Sequence, residues 1–403
     1  MTVDKLAAAL GLPAQEAGSA LLALPEDQWF ERKSVRLSAK DLGPPLTAFA
    51  NAEGGTIVIG LHDGLVEGCR HYPAKVNSFR QAAIDFTVPP IRATVSEVAC
   101  VNQRGEDDVL LAIRVDPGER VHEVKTGECY LRVGDETRKL GYSQRKELEF
   151  DKGQAQYDGE PCPGVTMSDL DESLLEDYRQ SIGEGSIDSL MRSRHLLTRS
   201  GELTNAAYLL FGRHPRDVFP EAHVRVVRFL SNERGTGARF SLEEGAGQRI
   251  EGPIPRCVTD AAAIVDDLVP RQRHVAPSGR FEATPIVPRD AWLAGLVNAA
   301  IHRSYSIAGD HIRVEIFPNR IEIESPGRFA APPNPGGPSQ FSRFARNPRI
   351  ARVCTDLRFG QELGEGINRM FDEMRLAGLA EPIYQQTTTS VRLILSGEPP
   401  ERG

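Results

Sequence analysis

The chain has 403 residues, with 48 Lys and Arg against 56 Asp and Glu, a net charge of −8. It is 40% hydrophobic and 26% charged, with a mean hydropathy of −0.33. This is the composition of a globular chain of two or three domains at roughly 100–200 residues each, and its apolar runs fall far short of the ~18 residues of a membrane helix. The acidic balance excludes a polycation that coats nucleic acid by global charge, so any such contact must come from a local basic patch.

The first 30 residues hold no basic start followed by an apolar run, which points to the cytoplasm. There are eight lysines, none after Lys152. None follows a glycine and precedes Ser or Thr, which excludes a Walker A phosphate loop. Six cysteines, at 69, 100, 129, 162, 257 and 354, are too far apart for a zinc ribbon or a redox pair. They read as reduced, mostly buried thiols.

In chain order, 2–25 predicts two short helices with a break at Gly11-Leu12-Pro13. An extended segment follows over 29–37, then a helix over 40–52 entered through Pro44–Pro45. Gly54–Gly55 turn the chain into the β-branched strand 56–61. A helix over 76–86 precedes strands at 91–101 and 108–115, and a strand at 129–133 closes the unit near 140. The polar stretch 150–165, with three Gly and two Pro, reads as a linker. Helices are then predicted at 168–181 (N-cap Ser168), 204–212, 252–270, 288–303, 344–356 and 363–377. Strands are predicted at 223–230, 311–317, 320–324 and 389–395, with a Pro/Gly-rich segment at 328–340. The expected division is 1–149, a linker at 150–166, a joining region at 167–287 and a last domain at 288–403. The fold class is α+β.

Several residues carry candidate chemistry. Glu26 and Glu31 lie five apart, Lys33 follows, and Asp63 ends a strand. Hard divalent cations in phosphodiester chemistry want clustered carboxylates, and a lysine could meet the developing phosphorane charge. By spacing alone the same residues also describe a solvated helix end. Arg32, Lys33, Arg36 and Lys40 form the densest early basic cluster and are the candidate nucleic-acid contact. Asn51 reads as a pin for the turn at Gly54–Gly55 or as a direct contact. Further on, Asn298 and His302 share a helical face, Glu324 and Gly327 end a hairpin, and Gly364 and Gly366 precede a helix in a way that suits phosphate. Arg343, Arg346, Arg349 and Arg352 recur every third residue. They fit nucleotide phosphate, nucleic acid, or a solvated, ion-paired segment.

Two runs resemble known families. The first is E26-D-Q-W-F-E31-R-K33, A48-F-A-N51-A-E-G54-G55-T-I-V-I-G-L-H-D63-G, then Y130-L-R-V-G134. It resembles the Schlafen/AlbA-like nucleic-acid-binding domain over about 15–140. That resemblance implies a mixed N-terminal domain, with DNA a more expected partner than RNA. It also implies that Glu26, Glu31 and Asp63 match three carboxylates of an RNase site in eukaryotic relatives, whereas many bacterial members are DNA-binding regulators. The second set is N298-A-A-I-H302-R-S-Y305, I321-E-I-E324-S-P-G327, R346-N-P-R-I-A and G364-E-G366-I-N-R-M. It resembles the divergent GHKL-type ATPase domain of helicase-related bacterial regulators, over about 165–395. This implies an α/β sandwich that binds ATP or ADP with Mg²⁺ through Asn298, His302, Glu324, Gly327, Gly364 and Gly366, Asn298 reaching the metal. Such enzymes place a glutamate four residues before the asparagine, and here that position is Ala294. No winged helix is expected after this domain, so nucleic-acid reading would rest on the first one. The combined expectation is a cytoplasmic, homo-oligomeric regulator with weak or no hydrolysis. A metal-dependent nuclease and a non-catalytic interaction protein are the alternatives.

Overall fold

A computed structural model of the chain describes residues 2–237, 241–245, 247–275, 280–328, 345–359, 365–387 and 389–400. Arg343 and Gly364 lie outside the described residues. The chain forms two units, Met1–Gln154 and Ala155–Gly403.

The first unit runs α1 (Thr2–Leu10), α2 (Ala14–Ala23), β1 (Phe30–Lys33), α3 (Gly43–Asn51), β2 (Gly55–Ile59), β3 (Leu61–His62), β4 (Leu65–Val66), α4 (Pro73–Asp85), β5 (Thr87–Val88), β6 (Ala93–Val101), β7 (Asp107–Val115), β8 (Glu123–Val124), β9 (Tyr130–Val133), β10 (Glu136–Lys139) and α5 (Tyr142–Asp151). Its main sheet has the order β1-β2-β7-β6. β1 is parallel to β2, with Phe30 opposite Thr56, and the other pairs are antiparallel. Ile57 and Ile59 enter a core with Leu46, Phe49 and Phe79. Val58 turns to the other face and packs with Leu6, Leu21 and Phe30. A strand buried on both faces reads as an unbroken apolar run, which is why TIVI stands out in the sequence.

The segment between α3 and β2 leaves little room for side chains. Gly54 has φ +82, and a Cβ there would fall 2.7 Å from the Val115 carbonyl oxygen; a Cβ on Gly55 would fall 2.4 Å from the Phe49 ring. The glycines therefore supply both a left-handed turn and close approach. Asn51, at the end of α3, is 3% exposed. Its Nδ2 donates to the carbonyls of His122 and Tyr130, both at 2.8 Å, and its Oδ1 accepts the His122 N–H at 2.8 Å. It pins the helix end to the chain on either side of the β8–β9 turn. After the last strand predicted for this unit come β10, paired with β9 from Lys139↔Tyr130 to Glu136↔Val133, and α5.

The second unit contains α6 (Glu172–Ser181), α7 (Ile187–Ser193), α8 (Asn205–Phe211), β11 (Val224–Arg228), β12 (Gln248–Ile250), α9 (Ile254–Leu268), β13 (Arg271–Val275), β14 (Phe281–Pro285), α10 (Arg289–His302), β15 (Ile312–Phe317), β16 (Arg320–Pro326), α11 (Pro348–Asp356), α12 (Glu365–Leu376), β17 (Ile383–Gln386) and β18 (Ser390–Ser396). Six strands form one sheet in the order β12-β11-β15-β16-β18-β17, with β11 and β15 parallel. α10 lies on this sheet at Gly295, where a Cβ would fall 2.6 Å from Leu393 and 3.0 Å from Ile323. Because side chains alternate along a strand, Glu322 and Glu324 project from the opposite face. Its registered neighbours there are Arg313, Glu315 and Arg392. Residues 155–166 belong to this unit, and Asp158 within them is fully buried against Arg349.

Sequence and structure part at a few places. The N-cap of α6 is Asp171, whose carboxylate accepts the Leu174 N–H at 3.1 Å. Ser168 instead lies in a separate 3₁₀ turn, Met167–Asp169, closed by Asp169 on Thr166. α7, β12, β17 and the β13–β14 hairpin are additional to the expected elements. All six cysteines are buried and free. Among the described residues no helix is long and apolar enough to cross a membrane.

The buried triad of hydrogen bonds on Asn51 predicts that Asn51→Ala lowers the stability of the first unit by about 2–4 kcal/mol, because buried N–H and C=O groups lose their partner. Urea unfolding of the full chain checks this. A change under about 0.5 kcal/mol, the size of an ordinary surface substitution, would show that the pin is dispensable.

Candidate functional site

In the first unit the predicted carboxylates have different fates. Glu31 sits on β1 and is 4% exposed. One oxygen meets Arg132 Nη1 at 2.6 Å and the other meets Lys33 Nζ at 2.5 Å. Arg132, 1% exposed, also donates Nε and Nη2 to the Asp27 carbonyl at 3.0 and 2.9 Å and lies over the Phe49 ring. Glu26 accepts the Arg32 backbone N–H at 3.0 Å, with Arg32 Nε 3.7 Å away. Asp63 stands at the exposed β3–β4 turn with φ +47, beside His62. Among the described residues Glu26, Glu31 and Asp63 do not come together as a set of metal-ligand atoms; the one such group of His, Cys and carboxylates is Glu221, His223 and His311 in the second unit.

The basic cluster divides in two. Arg32 is held by Glu26 and by the Leu22 carbonyl at 2.6 Å, and Lys33 by Glu31. Arg36 is 71% exposed, with Nε 3.1 Å from Glu67, and Lys40 is exposed on the next turn. The loop they share is fastened by Lys75, which donates to the Val35, Arg36 and Leu37 carbonyls.

In the second unit α10 carries Ala294, Asn298 and His302 one turn apart. The Asn298 Nδ2 is buried with no hydrogen-bond partner among the described residues. Opposite it is Gly366 of α12, where a Cβ would lie 3.8 Å from Asn298 Oδ1. The structure thus brings Asn298 and Gly366 together. His302 ends the helix, and burial together with the charge of Arg346 pushes its pKa down to about 4, so it is neutral at physiological pH. Gly327, φ +116, makes room for Arg346: a Cβ there would fall 2.1 Å from Nη1.

Glu324 does not join this group. Its carboxylate meets Ser390 Oγ at 2.6 Å, Arg392 at 2.8 Å and Arg313 at 3.2 Å on the sheet face away from α10. The hydroxyl of Ser325 is the one that reaches α10, at the Ala299 carbonyl 2.9 Å away. Strand alternation is the reason for this correction.

The spaced arginines mostly serve the chain itself. Arg346 Nη1 donates to the His302 carbonyl at 3.0 Å, and Asn347 Nδ2 to those of Ile301 and Arg303, both at 2.8 Å. Together they cap carbonyls that the end of α10 leaves without helical partners. Arg349 pairs with Asp158 at 3.0 Å, and Arg352 lies 3.7 Å from Asp356.

Two family models match the chain. Residues 26–141 match "Schlafen, AlbA_2", and residues 309–395 match "Putative ATP-dependent DNA helicase recG C-terminal". The chain therefore joins a Schlafen AlbA_2 domain to a domain of that C-terminal family, in an α+β architecture. A solved structure, the DIP2311 protein from Corynebacterium diphtheriae, is similar over 99% of this chain and 80% of its own, at 19% identity and a TM-score of 0.49. No curated protein matches.

The Glu31–Arg132 pair gives a direct prediction. Arg132→Met strands a carboxylate in the interior beside Lys33 alone and lowers stability by about 3–5 kcal/mol. The double variant Glu31→Leu/Arg132→Met recovers at least half of that loss. Denaturant unfolding of the single and double variants decides it: equal losses in both would show that packing of the arginine, not its charge, holds the site.

Proposed function

We propose that the chain is a nucleic-acid-binding, nucleotide-sensing regulator of transcription that works as a homo-oligomer and hydrolyses ATP weakly or not at all. The observation that carries this reading is the buried, unpartnered amide of Asn298 facing the glycine at the start of α12. A buried polar group without a partner costs about 1–3 kcal/mol, and a bound nucleotide would remove that cost. ATP or ADP with Mg²⁺ fits here, with the Asn298 Nδ2 offered as donor to a phosphate oxygen, its Oδ1 to the cation, and the first turn of α12, opened by Gly366, to phosphate. A cation held through Asn298 would supply positive charge to offset that of the phosphates. Glu324, on the other sheet face, takes no part, and Gly327 and His302 act through Arg346 and the end of α10.

Ala294 occupies the helical position one turn before Asn298 and has no group that can take a proton from water. General-base catalysis contributes typically ~10²–10⁴-fold, and this site forgoes it. Nucleotide binding is therefore the output of the site, suited to a switch rather than a motor.

The nucleic-acid function is assigned to the first unit through Arg36 and Lys40, the two members of its basic cluster with the most exposed charge. DNA is placed ahead of RNA, in keeping with the DNA helicase named in the description of the second domain's family. The nuclease alternative gains no support from the positions of Glu26, Glu31 and Asp63, since Glu31 is neutralised by two cations and Asp63 stands apart on a turn.

Two measurements test the proposal. Millimolar Mg-ATP or Mg-ADP raises the thermal midpoint of the full chain by mass action, Asn298→Ala abolishes the rise, and phosphate release stays near background; brisk hydrolysis or an unchanged midpoint in the wild type contradicts the switch. In the second, Arg36→Ala/Lys40→Ala weakens duplex DNA binding and reduces the slope of log K against log salt by about 2, at roughly 0.9 per phosphate contact. An unaltered slope would move the contact elsewhere in the chain.

A further inference from the structure

The β13–β14 hairpin has no part in the nucleotide site, and its construction is unusual for a compact unit. Its strands pair from Arg271↔Pro285 to Val275↔Phe281. No other described helix or strand packs closely on it. Residues 271–273 and 280–284 are all exposed, and Phe281 is 79% exposed. A two-stranded ribbon with water on both faces is at best marginally stable by itself. A large aromatic side chain left in water gives nothing to the fold that carries it.

Alternation sorts the side chains. Arg271 and Arg273 share a face with Ala283 and Phe281, while Gln272, Thr284 and Glu282 lie on the other. Arg271, Arg273 and Arg280 make no ion pair or side-chain hydrogen bond among the described residues. In this they differ from Arg313, Arg320 and Arg392 of the main sheet and from Arg234, each of which meets a carboxylate, and resemble the exposed Arg225 of β11. One side of the ribbon therefore offers unpaired guanidinium groups next to an exposed aromatic ring, with the hairpin's carboxylate Glu282 on the reverse.

We propose that this ribbon is a second nucleic-acid contact of the chain, with Arg271 and Arg273 on backbone phosphates and Phe281 stacked on an unpaired base. The assignment rests on the nucleic-acid reading given above and adds to it both a site and a preference. Guanidinium groups alone would suit any polyanion. A phenylalanine beside them selects a strand whose bases are open, because every base has a face to stack and a duplex keeps its bases stacked on each other.

The test uses the full-length protein, fluorescently labelled single-stranded DNA, the corresponding duplex, and heparin as a polyanion without bases. Arg271→Ala/Arg273→Ala is expected to weaken single-strand binding about tenfold at physiological salt and to lower the salt slope by about 1.4, at roughly 0.7 per phosphate on a single strand. Phe281→Ala is expected to weaken single-strand binding at least about fivefold, through lost stacking, with an unchanged salt slope and a smaller effect on the duplex. Both variants should unfold at the wild-type temperature, since the altered side chains lie in water. If Phe281→Ala changes nothing while the arginine variant loses heparin and DNA alike, the ribbon is a general polyanion site and the nucleic-acid assignment falls. If neither variant differs from wild type while Arg36→Ala/Lys40→Ala still weakens binding, this inference alone fails. If the wild type binds neither oligonucleotide, the underlying nucleic-acid reading fails with it.

Discussion

A carboxylate withdrawn from water costs several kcal/mol unless cations and hydrogen-bond donors meet it, and Glu31 shows how the first unit is arranged around that demand. Arg132 reaches it from β9, across a hundred residues of chain, and uses its remaining donors on the Asp27 and Phe30 carbonyls. β1 and β9 belong to different sheets, so this pair ties the short hairpin to the main sheet. Asn51 makes a second tie from α3 to the same region. Two of the most recognisable stretches in the sequence, A-F-A-N and Y-L-R-V-G, thus face each other through buried polar bonds. Their chemistry is that of a scaffold, whatever the exposed residues around them bind.

The same constraint operates in the second unit at the end of α10. A helix leaves its last carbonyls without intrahelical donors, and here the end of the helix is buried. Arg346 and Asn347 supply the donors, and Gly327 leaves the space that Arg346 occupies. Three of the segments read as nucleotide motifs therefore meet as one capping arrangement. Asn298, a turn earlier, is among the few buried amides that the fold leaves unanswered. The Oδ1 of Asn347, within the cap, is left in the same state, and what distinguishes Asn298 is the glycine of α12 that faces it.

Much of this was legible in the sequence. β2, the β6–β7 hairpin and the β15–β16 hairpin carry apolar patterns that only buried strands need, and they lie where expected. The position of Glu324 was legible too: in I-E-I-E the isoleucines must face the core, so the glutamates cannot face α10. Alternation alone assigns both carboxylates to the face away from α10. Other features left no signal. β13 and β14 read R-Q-R-H-V and F-E-A-T-P, with no clear apolar period, because neither face of the ribbon is buried. The partner of Glu31 could not be read either, since nothing local links Arg132 to a residue 101 positions earlier.

The imbalance between 40 arginines and eight lysines has a structural meaning in the second unit, which contains no lysine at all. An arginine presents five donors in a rigid plane, so one side chain can serve several acceptors at once. Arg346 reaches the His302 carbonyl through Nη1 and the Arg328 carbonyl through Nη2. Arg349 joins Asp158, Gln156 and the His195 carbonyl. A lysine at either place would gather fewer of these and hold them less firmly. Arginine is thus a connecting element of this fold, and its abundance says little about polyanions. Exposed arginines with nothing to connect, Arg225 of β11 among them, stand outside this role. On the ribbon of β13 and β14, arginines stand exposed beside an exposed ring, and no demand of folding accounts for placing them there.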